Sequence, residues 1–415
     1  MCKFAKKKRK KSVSPKIMLN RRLLRIKAMQ AIYAYYQAQY SQYEIAQELI
    51  QRAFEPDLNS MEKQDKKGLQ EEAQIAVEVF AKSYETKEIQ THPKANPKIN
   101  HSVVKAIDYY YKALESEQKR CYTEMIAEAE GIYEDYLLIL LFGIELSSLV
   151  SQQRDKKSVN PDTIKVRSEY KLAENKIFEI IAQSKDFQEQ LIRKNISWEK
   201  ERELIQLFLQ NLKKNEEYAK YVALGEATLE EDYRIADYIF REFLFRKIEE
   251  DDIDGKNELQ AYFEAKDLNW SENREILKSM VLKTLKKAKE APQSFELLAL
   301  SQDWQADREF FEILFQKTIA QAPTYDSILA EKAQNWRTER FVMMDKIILE
   351  MAITEMITFP SIPVKVSINE YIELAKNYST PKSKTFVNGL LNTLAETLKT
   401  QGLIKKSGRG LLDNK

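Results

Sequence analysis

Glycine is scarce in this chain, with nine in 415 residues, and no GxxxxGK[ST] or GxGxxG run exists among them. Backbone cradles for nucleotide phosphates need such loops, so a P-loop or dinucleotide-binding site is excluded at the level of motif. The two histidines, His92 and His101, lie together in a proline-containing stretch, Glu85–Ser102. No Ser-His-Asp or Cys-His arrangement is therefore credible. The two cysteines, Cys2 and Cys121, offer no CxxC metal pair and no disulfide framework, which fits a reducing, cytoplasmic compartment. The longest apolar run, YLLILLFGI (Tyr136–Ile144), is too short to span a bilayer and reads as a buried helix segment. The basic N-terminus has no apolar h-region after it, so a secretory signal is not expected.

What remains is a mixture that favours helices. The chain is 43% hydrophobic and 31% charged, with few Gly and Pro. Period-2 runs and βαβ alternation are absent, which predicts an all-α fold. Paired acids such as Glu230-Glu231-Asp232 and Glu249-Glu250-Asp251-Asp252 read as solvated helix faces. No catalytic group, metal ligand or cofactor site is expected.

Net charge is +2, but it is unevenly distributed. Residues 1–43 carry 12 basic and no acidic side chains, and residues 376–415 carry 8 basic and 2 acidic ones. Ends of +12 and +6 on a chain of +2 leave the middle at −16. Basic ends on an acidic body suit an anionic partner, nucleic acid being the usual one. The opening helix, expected from about Leu19, starts with Arg21, Arg22 and Arg25. On a 3.6-residue helix these fall within an arc of about 100°. Their clustering opposes the helix dipole, yet suits phosphate oxygens and base edges. A core helix with a solvated basic start is the alternative reading.

Near the other end, the apolar residues of KTFVNGLLNTLAETLKT (Lys384–Thr400) recur at helical spacing through Asn388-Gly389. The stripe stays in phase to Leu398, so Gly389 is expected to pack against a neighbouring helix. Phe386, beside Lys384, is expected near an exposed helix start as a base-stacking platform or a core anchor. Ser367-Ile-Asn-Glu370 reads as a capping box that starts a helix.

Three blocks carry a resemblance: NWRTERFVMMDKIILEMAITEM (Asn335–Met356), PVKVSINEYIELAKNYS (Pro363–Ser379) and SKTFVNGLL (Ser383–Leu391). In this order and spacing they resemble the NusB family of transcription antitermination factors. The run RRLLRIKAMQAIY (Arg21–Tyr33) resembles that family's opening helix. The resemblance implies a helical bundle of two packed subdomains with a large helical insertion, in a long variant of the family. The expected organisation is a basic tail over 1–17, the opening helix over 18–54, inserted helices over 55–270, a NusB-like C-terminal region over 271–402, and a basic tail over 403–415.

The resemblance also implies a non-catalytic role. NusB-like proteins bind boxA-type single-stranded RNA together with the small-subunit ribosomal protein NusE, within an RNA polymerase antitermination complex on ribosomal RNA operons. Carried over residue by residue, Arg21, Arg22, Arg25, Lys384 and Phe386 match RNA-contacting positions. Tyr33, Asp345 and Lys346 match the face used for NusE. The family often has Lys where Thr385 stands, and Asp where Asn392 stands. A helical protein-interaction scaffold in transcription or ribosome biogenesis is the other reading. NusB-like domains also occur fused to ribosomal RNA methyltransferases, but this chain has neither a βαβ pattern nor a suitable cysteine. No membrane partner is expected.

Overall fold

The computed structural model describes residues 19–59, 61, 63–157, 170–224, 226–247, 257–332 and 342–414. The basic tail expected over 1–17 lies outside them. Among the described residues there is no strand, and none of their helices is long and apolar enough to cross a membrane. The described residues divide into two compact units, one within 19–20 and 128–304, the other within 21–127 and 305–414.

The first unit holds the second half of α3 (Pro97–Lys157), then α4 (Lys176–Ala182), α5 (Lys185–Lys194), α6 (Arg202–Leu212), α7 (Glu216–Ala223), α8 (Leu229–Tyr238), α9 (Glu258–Lys266) and α10 (Trp270–Glu290). Its core is built from Tyr136, Phe142, Phe178, Trp198, Phe208, Phe240 and Phe263. The YLLILLFGI run is buried in α3 as expected. At Gly143 a Cβ would meet Phe178 Cε1 at 2.5 Å, so a side chain here would displace a core ring.

The second unit begins with α1 (Arg21–Ala53), α2 (Lys66–Ser83) and the first half of α3. It continues with α11 (Trp304–Lys332), α12 (Met343–Thr358), α13 (Val364–Tyr378) and α14 (Ser383–Thr400). The N-terminal half of α1 buries Leu24, Ala28, Met29 and Ile32, and the helix packs on α12. Its C-terminal half buries Ala46 and Ile50, with Phe54 just after it, in a core shared with Val79 and Phe80 of α2 and Ile99, Val103 and Tyr110 of α3. The insertion expected as one block over 55–270 is thus divided at residue 127: its first part completes the core around α1, and its second part lies in the other unit.

Two local signals resolve differently from their sequence reading. Helix α13 starts at Val364, one turn before the supposed cap, with Pro363 at its N-cap. Ser367 is then inside the helix, and its hydroxyl donates to Glu355 Oε1 at 2.7 Å. Gly389 lies on the exposed side of α14, with nothing within 4 Å of an added Cβ. The stripe that faces inward is Val387, Leu390, Leu391, Leu394 and Leu398, and Gly389 falls outside it. The expected close packing of Gly389 is therefore corrected. The residues over 403–414 are not a free tail either: Ser407 N donates to Pro360 O at 3.0 Å, and Lys406 Nζ to Phe359 O at 2.9 Å.

Candidate nucleic-acid interface

Helix α1 has no acidic residue in its first turn, so its arginines face the positive end of the helix dipole unaided by local charge. The compensation comes from other helices. Arg21 Nε lies 3.4 Å from Asp307 Oδ1 of α11. Arg22 donates through Nε and Nη2 to both oxygens of Glu370 on α13, at 2.8 Å each. Arg25 donates through Nε and Nη2 to both oxygens of Glu355 on α12, at 2.7 and 2.8 Å.

Burial separates these three pairs. The Arg22 side chain keeps 54% of its surface exposed and Arg21 keeps 40%, whereas Arg25 keeps 4% and Glu355 none. A fully exposed pair contributes about 0–1 kcal/mol; the Arg22–Glu370 pair is half-open, with Arg22 54% and Glu370 18% exposed, so it is less committed than the buried one. Breaking a buried pair costs about 3–5 kcal/mol, because the remaining charge is left without compensation. Glu355 also accepts from Ser367 Oγ at 2.7 Å and Tyr371 OH at 3.0 Å. Burial alone would lower the Arg25 pKa, but the hydrogen bonds and charge of Glu355 outweigh it and hold the guanidinium firmly protonated. The single arginine face read from the helical wheel is therefore corrected. Arg21 and Arg22 border solvent, while Arg25 is an internal clamp between α1, α12 and α13.

The ring of Phe310 adds a second layer to this clamp. Arg21 Cζ lies 4.8 Å from its centroid and Arg25 Cζ 5.4 Å. Such cation–π contacts are worth about 0.5–2 kcal/mol depending on desolvation. Hydrogen bonding from Arg22 and the neighbouring guanidiniums hold the Glu370 carboxyl below its usual pKa, so it stays ionised under Arg22.

The other proposed RNA contacts lie on α14. Lys384 is exposed and Phe386 half-buried at its first turns. This helix start is tied to α12 by Asp345, which accepts from Ser379 Oγ at 2.6 Å and Ser383 Oγ at 2.7 Å. Asp345 is buried. Its place on the partner-facing surface is thereby corrected to an internal anchor, because both its oxygens serve the α13–α14 connection. Lys346 remains at the surface, 2.8 Å from Asp326. Tyr33 is 39% exposed on α1. One turn on, Tyr36 OH donates to Glu350 Oε2 at 2.7 Å. The second Glu350 oxygen lies 3.7 Å from Lys346 Nζ, too far for a hydrogen bond. Burial pushes the Glu350 pKa up to about 7, against the opposing pull of Tyr36 and Lys346.

Sequence reasoning missed Glu355, Glu370, Phe310 and Tyr371 as organisers of this site. A signal existed in α12. Its run IILEMAITEM places two carboxylates in an otherwise apolar helix, and buried carboxylates require partners.

Against this geometry, residues 269–396 match the model of the NusB family. This stretch of the chain is similar to NusB family proteins. Three relatives are each called transcription antitermination protein NusB. That of Salinibacter ruber is 44% identical over 105 residues, 25% of this chain and 66% of the relative. That of Chloroherpeton thalassium is 42% identical over 106 residues, 26% of this chain and 50% of the relative. That of Natranaerobius thermophilus is 36% identical over 90 residues, 22% of this chain and 65% of the relative. The chain thus spans between half and just under two thirds of these relatives. No solved structure matches it. The NusB match covers α10 to α14 but not α1, whose arginines nonetheless pair with residues inside it, Asp307, Glu355 and Glu370.

Proposed function

We propose that this chain is a non-catalytic, cytoplasmic, RNA-binding transcription antitermination factor. In this reading it binds boxA-like single-stranded RNA and the ribosomal protein NusE, within an RNA polymerase antitermination complex on ribosomal RNA operons. The observation that carries the proposal is the half-exposed guanidinium of Arg22, paired with Glu370 at the solvent border, on a helix seated against the NusB family domain. Arg21 and Arg22 supply phosphate contacts, Lys384 adds charge, and Phe386 offers a ring for base stacking. Tyr33 and Lys346 remain on the surface for the protein partner.

The test is a fluorescence-anisotropy titration of a boxA-like RNA with and without NusE, over a salt series. Arg22→Glu is expected to weaken binding and to lower the salt slope by about 0.7 per lost single-strand phosphate contact. RNA affinity that is indifferent to salt, or to Arg22→Glu, would refute the assignment. A second reading, an interaction scaffold without RNA, is favoured by the carboxylate already seated on each opening arginine. It predicts protein capture that survives nuclease treatment and no RNA binding in the same titration.

A further inference from the structure

The residues after the NusB match end in a turn with an unusual glycine density. Three of the chain's nine glycines fall between Gly402 and Gly410, and the segment Lys405-Lys-Ser-Gly-Arg-Gly410 carries three cations. The turn is built rather than loose. Gly408 has φ +53°, a left-handed conformation suited to glycine. Gly410 N closes the turn onto Ser407 O at 2.9 Å. A Cβ on Gly410 would collide with the Pro360 carbonyl oxygen, so only glycine allows this approach. Lys406 and Ser407 hold the same 359–360 carbonyls.

Two consequences follow. First, the docking leaves Lys405 and Arg409 exposed, and neither has an acidic partner among the described residues. Arg21 and Arg22 must exchange a carboxylate to take a phosphate, whereas these two give up only water and counterions. Second, the turn is joined to the opening arginines by a short chain of contacts. Lys406 holds Phe359 O, the Phe359 ring lies 4.8 Å from Phe310, and Arg21 Cζ lies 4.8 Å from Phe310 on its other contact. The anchor of the turn is therefore separated from Arg21 by the Phe359–Phe310 ring pair.

We infer that the docked C-terminal turn is a second phosphate-binding element of the nucleic-acid face, in which Lys405 and Arg409 grip the backbone of a single-stranded RNA beyond the length held by α1. The inference rests on the RNA-binding reading given above. It requires only backbone contacts, so it adds affinity and length of RNA covered without adding sequence preference. The exposed Leu411 and Leu412 that follow make a protein partner the competing occupant.

The test uses the full chain and single-stranded RNAs of two unrelated sequences in an anisotropy titration over a salt series. Lys405→Ala with Arg409→Ala is expected to weaken Kd on the order of tenfold on both RNAs and to lower the salt slope by about 1.4, two contacts at about 0.7 each. Arg52→Ala with Lys67→Ala removes the same charge from the far end of α1 and the start of α2, and is expected to leave both unchanged. Gly410→Ala keeps every charge but undocks the turn. It is expected to weaken RNA binding and to make the segment after Thr400 sensitive to protease at an unchanged global Tm. Wild-type affinity and slope in the Lys405–Arg409 variant, with Arg22→Glu still impaired, would overturn this inference and leave the RNA-binding reading standing. Absence of salt-dependent RNA binding by the wild-type chain would overturn both. Loss of a protein partner with RNA binding intact would assign the turn to that partner and reject the inference.

Discussion

Replacing Arg25 with Ala tests the division of the opening arginines most directly. The Arg25 side chain keeps 4% of its surface exposed and its partner Glu355 none. The substitution strands a carboxylate inside the unit, where Ser367 Oγ and Tyr371 OH still donate to it but no cation remains bound to it. Removing one member of a buried pair costs about 3–5 kcal/mol. In domains of 150–250 residues each kcal/mol moves Tm by about 2–4 °C. The expected fall is therefore about 6–20 °C, read by circular dichroism. Glu355→Gln should cost less than Arg25→Ala. Its amide oxygen still accepts from one of the Ser367 and Tyr371 hydroxyls, the other hydroxyl can turn to accept from the amide NH2, and the stranded guanidinium keeps Glu370 at 3.6 Å. Combining Arg25→Met with Glu355→Gln removes both charges and should recover most of the loss, so the double-mutant cycle should show strong coupling. Below its melting transition, Arg25→Ala should bind RNA far better than Arg22→Glu. A Tm within 1 °C of wild type, together with lost RNA binding, would refute this reasoning and return Arg25 to the contact surface.

Two further outcomes follow from single residues. Glu350 has its pKa raised by burial from the model-peptide value of 4.5 to about 7, so between these values the folded state binds more protons than the unfolded one. Stability from this group is therefore full below about pH 4.5 and falls as pH rises to about 7. The loss is roughly 3 kcal/mol at about 1.36 kcal/mol per pKa unit. Glu350→Gln should flatten that part of a urea-denaturation pH profile, and an unchanged profile would refute a titrating Glu350. Gly389→Ala adds a methyl group into open space inside a helix and should stabilise the protein by about 0.5–1 kcal/mol; a lower Tm would show that Gly389 is packed after all.

The parts of this molecule that follow from chain-local physics were readable in advance. The all-helical class, the burial of Tyr136–Ile144 and the arginine cluster at the start of α1 all come from spacing along one segment. What decided the roles of the arginines did not. Glu355 and Glu370 lie 330 and 348 residues along the chain from the arginines they bind. A helical wheel shows which side chains share a face, but not which helix covers part of it. It could group Arg21, Arg22 and Arg25, but it could not see that α12 and α13 close over Arg25 alone. The same limit explains Ser367 and Glu370. Their spacing fits a capping box, yet both are used by tertiary partners, Ser367 by Glu355 and Glu370 by Arg22. It also explains the glycines, since an interior glycine in a helical pattern marks either a close neighbour or an empty face. Gly143 meets Phe178 and Gly389 meets nothing. Pair energy then turns this geometry into an assignment. A surface pair worth at most about 1 kcal/mol can be traded for a phosphate, and a buried one worth several cannot. By that criterion Arg21 and Arg22 are the arginines of α1 left open to the proposed anionic ligand, and Arg25 holds the helix that presents them.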